Sequence, residues 1–171
     1  MAKIYFLVLA VFLTLNSTSQ SKDLPKFDFE NYYFPKAVVI DVKDKNQVQL
    51  KNDVRSWIKN YFTESSLIHS SYSENSFLIT GKSIRLLKIK NLPTDLKYDI
   101  KISLRDNKYK FEIKKIYYKY YTEFREISNV NLIKDDIIKN DLLESRSIIS
   151  SFFDDLNSNL FNTITAENNG W

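Results

Sequence analysis

Cysteine is absent from the 171-residue chain. This absence excludes disulfide bonds and thiolate metal sites. It also excludes a bacterial lipoprotein, because acylation needs a cysteine at the cleavage site. Stability must come from core packing, and a hydrophobic content of 43% is ample for one packed domain.

Glycine and histidine are almost as scarce, with two glycines and one histidine. Gly81 lacks the spacing of a phosphate-binding loop. His69 stands in the sequence Leu-Ile-His-Ser-Ser, which suggests no catalytic partner, and a zinc site needs several His or Cys ligands. We therefore expect no cofactor and no metal, and we interpret His69 as a polar residue on a strand.

Two acidic pairs, Asp135-Asp136 and Asp154-Asp155, are the remaining candidates for acid/base chemistry. Only residues three or four apart share a helix face, so the members of an adjacent pair diverge. The first pair suits a helix N-terminus, where the helix dipole favours negative charge. The second suits a solvated face, and a carboxylate-based hydrolase remains the alternative hypothesis rather than the favoured one.

Charge of one sign does not cluster, although the formal net charge is +4. Lys97, Asp99 and Lys101 show the common pattern, in which basic and acidic residues alternate. Such a mixed surface is not the basic stripe of a nucleic-acid-binding protein. We expect no nucleic-acid partner.

A long hydrophobic run occurs only near the N-terminus, at residues 4–15, after the basic Lys3. A polar stretch of small residues, 16–19, follows it. This layout is typical of a secretory signal peptide, and the run is shorter than the roughly 20 residues that span a bilayer. We expect residues 1–19 to be removed before Gln20, which leaves a periplasmic or secreted protein without a transmembrane segment.

Apolar residues at helical spacing predict a helix from about residue 46 to residue 64. The stripe that carries this prediction consists of Leu50, Val54, Trp57, Ile58 and Tyr61. A second helical stripe near the C-terminus includes Ile149, Phe153, Leu156 and Leu160. Asp135, Asp136 or Asp141 is a plausible N-terminal cap for it.

Alternating or β-branched residues predict five strands, one at residues 37–42 and four between the helices. The strongest strand has Leu96, Tyr98, Ile100, Ile102 and Leu104 on one face and polar residues on the other. A hairpin turn at residues 105–108 follows it, with Asn107 suited to a positive φ.

The alternation changes parity twice within these strands. Ile84 and Leu86 are out of phase with Phe77 and Ile79, so we expect a β-bulge or bend at Gly81. The second change, at Lys114-Lys115, predicts another bulge or a twist toward the sheet edge.

The fold class that follows is α+β, with the order β-α-β-β-β-β-α and both helices on one face of a curved antiparallel sheet. The expected domain spans residues 37–164. A lead-in at 20–36 is aromatic enough that part of it should lie against the domain, and a tail occupies 165–171.

Four tyrosines in the sequence Tyr117-Tyr118-Lys119-Tyr120-Tyr121 are the candidate binding residues. On a strand, Tyr118 and Tyr120 share one face and Tyr117 and Tyr121 share the other. One face should then expose tyrosines, which suit protein interfaces and sugar stacking. The alternative is an edge strand with one core face and one aromatic surface face, since aromatics are ordinary strand formers.

The element order and several segments resemble a bacterial domain-of-unknown-function family with a TATA-binding-protein-like fold, common in exported proteins of Bacteroidota. The matching features are the strand 38–42, the helix segment 54–58, the step 79–82 and the hairpin strands 98–104 and 109–113. The resemblance covers residues 37–164. A signal peptide that ends before a glutamine is also typical of the group.

The resemblance implies an architecture and no activity, because fold does not carry function. TATA-binding proteins use two such halves and wedge phenylalanines to kink DNA, and this chain offers one half. We expect a non-catalytic binding or structural module of the cell envelope that engages a protein or glycan through the open sheet face or the tyrosines. The alternatives are the hydrolase and a carrier of a small hydrophobic ligand.

Overall fold

The computed structural model describes residues 23–128 and 130–166, and it contains a six-stranded antiparallel sheet with three helices. The strands are β1 (Lys36–Asp41), β2 (Leu67–Ser73), β3 (Ser76–Ile89), β4 (Leu92–Arg105), β5 (Lys108–Tyr120) and β6 (Glu123–Glu126). The helices are α1 (Gln47–Tyr61), α2 (Asp136–Glu144) and α3 (Arg146–Thr165). The predicted α+β class is confirmed.

Helix α1 begins one residue after the predicted position. The Asn46 side chain accepts from the Gln49 N–H at 2.9 Å, and the Gln49 side chain accepts from the Asn46 N–H at 2.9 Å, which forms a capping box. Trp57, in the middle of the predicted stripe, is 1% exposed. Its Nε1 donates to Asn159 Oδ1 on α3 at 2.9 Å, so Trp57 ties the two long helices together.

The strand order is β1-β5-β4-β3-β2, and β6 also pairs with β5. Burial alternates along β4: Leu96, Tyr98, Ile100, Ile102 and Leu104 are buried, and the residues between them are half-buried. We call the first side the helix-covered face, because its residues join those of the helices in one core cluster. The other side is the open face.

Two predicted features of the long strands are confirmed. Asn107 has a φ of 62° in the turn between β4 and β5. The pairing of β4 with β5 shifts where Asp99 is opposite Lys115 and Ile100 is opposite Ile113, so Lys114 is the extra residue of a bulge. The bulge lets Ile116 and Tyr118 return to the helix-covered face.

The predicted bulge of β3 at Gly81 is wrong, because Gly81 pairs regularly with Tyr98 on β4. The pairing with β2 does shift opposite Gly81, but the extra residue there is Ile68 on β2. The irregularity between β3 and β4 lies further along, between Ser83 and Leu87. As a result Ile84 is 55% exposed, and Leu87 and Ile89 occupy the core positions instead.

Gly81 serves packing rather than a bend. A Cβ atom at this position would lie 2.5 Å from Cζ of Tyr98 and 2.6 Å from its Cε2. The Tyr98 ring is 2% exposed and crosses the Gly81 backbone. Only a residue without a side chain leaves that space.

The C-terminal region contains two helices where one was predicted. Asp135 is an N-terminal cap, and its carboxylate accepts from the Ile138 N–H at 3.2 Å, but the helix it caps is α2 and not the helix that carries the predicted stripe. The two helices are separated at Ser145, whose hydroxyl donates to the Asp141 carbonyl at 2.7 Å. Helix α3 then carries the predicted stripe, with Ile149, Phe153, Leu156 and Leu160 fully buried.

The described part of the lead-in joins the core, as expected. Phe27, Phe29 and Tyr32 are 4% exposed or less. The Phe27 N–H donates to Asp154 Oδ1 at 2.8 Å. The predicted signal peptide at residues 1–19 lies outside the described residues.

Within residues 23–128 and 130–166, no helix combines the length and apolar character that crossing a membrane requires.

Candidate functional site

The structure distributes the four candidate tyrosines over three environments. Tyr118 is 4% exposed on the helix-covered face, so it is not accessible to a ligand from solution. Tyr117 is half-buried and lies on the open face, opposite Lys97. Tyr120 is half-buried at the end of β5, and Tyr121 is 78% exposed in the turn that follows.

The expectation of a tyrosine-bearing sheet edge is wrong. Strand β5 pairs with β4 on one side, and with β1 and β6 on the other. Strand β6 pairs Tyr117 with Glu126 and Tyr120 with Glu123. Tyr117, Tyr118 and Tyr120 therefore belong to an inner strand, and Tyr120 and Tyr121 line a concave surface.

That surface, which we call the tyrosine pocket, is a concavity of about 460 Å³ at one end of the sheet. It lies where the β3–β4 hairpin meets the turn after β5. Ligand sites commonly have volumes of about 300–1,000 Å³. The residues that line it are Arg85, Ile89, Lys90, Leu92, Pro93, Thr94, Asp95, Lys119, Tyr120 and Tyr121.

Three residues that line the tyrosine pocket have an unfavourable backbone conformation. Arg85 and Tyr121 each have a φ of 54°, and Lys90 has a φ of 49°. A positive φ is uncommon for large side chains and costs about 1–3 kcal/mol at each position. The Arg85 N–H donates to Asp95 Oδ1 at 3.0 Å, which holds the Arg85 backbone in place. The Tyr121 ring packs edge-to-face on Tyr120, with 4.6 Å between ring centroids.

The charges at the tyrosine pocket are partly paired. Lys119 lies 3.8 Å from Asp95, and Lys90 lies 2.5 Å from Asp135. The hydrogen bond to Asp135 raises the pKa of Lys90, and that same bond lowers the pKa of Asp135. The charges of Lys90 and Asp135 therefore persist across the neutral range.

Two further cations adjoin the pocket. The Arg125 guanidinium stands 4.7 Å from the centroid of the Tyr120 ring, and Arg85 contributes its side chain to the lining. The lining itself holds three cations, Arg85, Lys90 and Lys119, and one carboxylate, Asp95. Two more carboxylates, Asp135 and Asp141, contact Lys90 from outside the lining, and with Arg125 the tyrosine pocket keeps a positive balance.

Two solved structures are similar to this chain over most of its length. One is a TBP-like protein from Parabacteroides distasonis, 18% identical, with a TM-score of 0.55; the match covers 80% of this chain and 95% of that one. The other is a DUF4468 family protein from Bacteroides ovatus, 15% identical, with a TM-score of 0.57 and coverage of 86% and 94%. No family model and no curated protein matches the chain.

The chain has a TBP-like fold. The resemblance seen in the sequence is thus confirmed for the architecture, and both similar structures come from Bacteroidota. At this level of identity the likeness carries the fold alone, and the function has to be argued from the residues.

The open face of the TBP-like sheet is polar and internally paired. Glu112 lies 2.6 Å from Lys110 and 3.0 Å from Lys114. Burial raises the pKa of Glu112, but the hydrogen bonds from the two lysines outweigh it and the net pKa is lowered. Lys115 and Glu126 form a further pair at 3.1 Å.

Asp99 holds the centre of the open face. It accepts from Thr80 Oγ1 at 2.7 Å and from the Tyr117 hydroxyl at 3.0 Å. The Lys97 ammonium lies 4.1 Å from the centroid of the Tyr117 ring. The hydroxyl and the ring of Tyr117 thus both contact residues of the sheet itself.

The Tyr117 hydroxyl gives the first testable prediction. Burial and the hydrogen bond to Asp99 raise the pKa of Tyr117 to about 12. An unfolded tyrosine ionises near pH 10, so the contribution of Tyr117 to stability is complete below about pH 10 and is lost as the pH rises through about 12. The Asp99→Asn substitution should lower the pKa of Tyr117, as measured by NMR titration of the ring. Glu74→Gln, in an exposed turn, is the control, and an unchanged pKa in Asp99→Asn contradicts the assignment.

The other sequence candidates lie apart from one another. His69 is exposed on β2 opposite Thr80. Asp135 caps α2, and Asp154 binds the lead-in backbone, where burial raises its pKa. Among residues 23–128 and 130–166, no group of three or more His, Asp or Glu residues is placed to hold a metal ion.

Arg85, Lys90 and Asp95 are site residues that the sequence did not single out. The sequence feature that could have indicated them is the change of alternation within β3. It lies after Ser83, and we predicted it at Gly81. A two-residue turn at Lys90-Asn91, where both residues have a positive φ, brings β4 back along β3. This turn places Asp95 beside Arg85.

Proposed function

We propose that this protein is an exported, non-catalytic binding module of the bacterial cell envelope, and that its tyrosine pocket binds a negatively charged saccharide. The observation that carries the proposal is Tyr121, a large aromatic residue that is 78% exposed and has a φ of 54° beside the pocket. Strained backbone and exposed aromatic surface are both costly, and such outliers concentrate at ligand sites.

The chemistry of the lining suits a sugar. An aromatic ring offers a flat apolar surface to the C–H groups of a pyranose. Arg85, Lys90 and Lys119 supply hydrogen-bond donors, and Asp95 supplies an acceptor, for the hydroxyl groups around the ring. A largely apolar ligand would offer no hydrogen-bonding partner to these polar groups.

The positive balance of the tyrosine pocket favours a sugar that carries a carboxylate or sulfate. Arg85 has no ion pair within the described part of the chain. A guanidinium presents paired donors that match a carboxylate or sulfate.

The envelope location rests on the N-terminal pattern. Lys3, the apolar run at 4–15 and the small polar residues before Gln20 support export. Cell fractionation with mass spectrometry of the N-terminus tests this point. We expect a mature chain that begins at Gln20 in the periplasm or medium, and a full-length chain in the cytoplasm contradicts export.

A Tyr121→Ala substitution tests the saccharide site. Removing the ring should weaken the binding of an oligouronate by up to about tenfold, since an aromatic contact is worth about 0.5–1.5 kcal/mol. Isothermal titration calorimetry with an oligouronate and with a neutral glucan of equal length measures the effect. We expect the uronate to bind more tightly, and less tightly as salt rises.

Tyr33→Ala is the matched control, because Tyr33 is 63% exposed and lies in the lead-in, away from the pocket. Tyr121→Phe keeps the ring and should retain binding. Equal losses in Tyr121→Ala and Tyr33→Ala, or no binding of either glycan by the unmodified protein, contradict the proposal.

A further inference from the structure

A second concavity lies between α1 and the edge strand β2, and we call it the edge groove. Its volume is about 500 Å³. The apolar residues in its lining are Ile58, Phe62, Leu67, Tyr72 and Phe77. Ile58, Phe62 and Phe77 are buried, so the floor of the groove is continuous with the core.

Strand β2 forms one edge of the sheet and pairs with β3 alone among the described strands. An edge strand presents unpaired N–H and C=O groups, which other chains can extend. Natural edges are usually protected by charged residues or proline. The sequence of β2, Leu-Ile-His-Ser-Ser-Tyr-Ser, contains neither Lys, Arg, Asp, Glu nor Pro.

The opposite edge of the sheet is protected. Three of the four residues of β6 are charged, and β1 begins with Lys36 directly after Pro35. The pairing of β2 with β3 shifts between Leu67 and His69, and a bulge of this kind also protects an edge. The difference between the two edges therefore indicates that the regular part of β2, from His69 to Ser73, is left open for pairing.

The helix side of the edge groove is positively charged. Lys51, Arg55 and Lys59 follow one another at intervals of four residues, which places them on one side of α1. Arg55 and Lys59 line the groove, and the Lys51 ammonium lies 4.2 Å from the centroid of the Tyr72 ring. Within residues 23–128 and 130–166, none of the three forms an ion pair. Glu64 is the one carboxylate in the groove lining.

We propose that the edge groove binds an extended acidic segment of a partner protein, which adds to β2 as a further strand. The main chain of the segment pairs with the open edge of β2. Alternate side chains enter the groove, where apolar groups contact the floor and a carboxylate meets Arg55 or Lys59. This site is separate from the tyrosine pocket and does not depend on it.

Charge disfavours a second copy of the chain as the occupant. If two β2 strands paired antiparallel about a two-fold axis normal to the sheet, both α1 helices would lie on the same face. The stripes of Lys51, Arg55 and Lys59 would then approach each other, and like charges repel.

Two synthetic peptides of the length of β2 test the proposal: Ser-Val-Thr-Glu-Thr-Val-Ser and its counterpart with Lys in place of Glu. Amide NMR of the labelled protein follows binding. We expect the acidic peptide to shift the amide signals of β2 and to bind at least about tenfold more tightly than the basic one. The charge reversal Arg55→Glu, on an exposed helix position, should remove this preference. Lys43→Glu, in the exposed turn after β1 at the opposite side of the sheet, should not.

Backbone methylation separates strand addition from simple filling of the groove. Two versions of the acidic peptide carry N-methyl groups on alternate amides, so that only one blocks the amides that face β2. We expect one version to lose binding and the other to keep it. Equal binding by both, binding of neither parent peptide, or a dimer through β2 that the peptide does not dissociate would overturn the proposal.

Discussion

Replacing Phe153 by alanine is expected to lower the free energy of unfolding by about 3–5 kcal/mol, the range for a fully buried phenylalanine. Phe153 on α3 is 0% exposed. Its ring stacks on Phe29 with 5.8 Å between centroids and contacts Phe27 and Tyr98 at 6.3 Å and 5.5 Å. The substitution therefore opens a cavity where the lead-in, α3 and β4 meet.

The neighbouring Phe152 is the control for this prediction. It is half-buried and contacts Tyr98 at 5.3 Å between ring centroids, so Phe152→Ala should cost clearly less. Urea unfolding followed by circular dichroism measures both. If Phe153→Ala does not fold, Phe153→Leu, which leaves a smaller cavity and should cost less than the alanine, still reports the packing. Equal losses in the free energy of unfolding for Phe153→Ala and Phe152→Ala would contradict this prediction.

Replacing Gly81 by alanine is expected to lower the free energy of unfolding by about 1–3 kcal/mol, as overpacking does. The φ of Gly81 is not positive, so its backbone suits any residue, and alanine in a strand would otherwise gain about 0.5–1 kcal/mol. The contact with the Tyr98 ring reverses the sign, since a Cβ would lie 2.5 Å from Cζ. The ring is held in place by Phe152 and Phe153.

A double-mutant cycle isolates this contact. In a Tyr98→Leu background the obstructing ring atoms are gone, so Gly81→Ala should be neutral or stabilising there. Thermal unfolding of the four proteins measures the coupling. The same loss in both backgrounds would mean that the glycine acts through the backbone rather than through Tyr98.

The regular elements were predictable because each is specified by its own residues. Helix α1 combines a buried stripe with a capping box at Asn46, and both signals lie within about 15 residues. Strand β4 shows its two faces through strict alternation, and the turn at Asn107 needs only a local φ preference. The bulge at Lys114 was also visible, since a bulge changes the parity of one strand.

The environment of the tyrosines was not predictable in the same way. Tyr117 and Tyr118 lie on an inner strand because β1 and β6 both reach the same side of β5. Strand β6, Glu-Phe-Arg-Glu, has four residues and no apolar alternation, so its sequence does not predict a strand. The sequence predicts the break in β3 at Gly81 because a glycine permits a bend. In the structure the glycine instead makes room for the Tyr98 ring on the next strand.

By itself, the sequence determined the α+β class, the positions of the main helices and strands, and the absence of thiol chemistry, because hydrophobic period and residue type act locally. Only the tertiary structure decided which sheet edges are exposed, which tyrosines are accessible, and how Arg85, Asp95 and Tyr121 come together. Those features depend on pairing between residues far apart in the chain, and a single period in one segment carries no information about its neighbour.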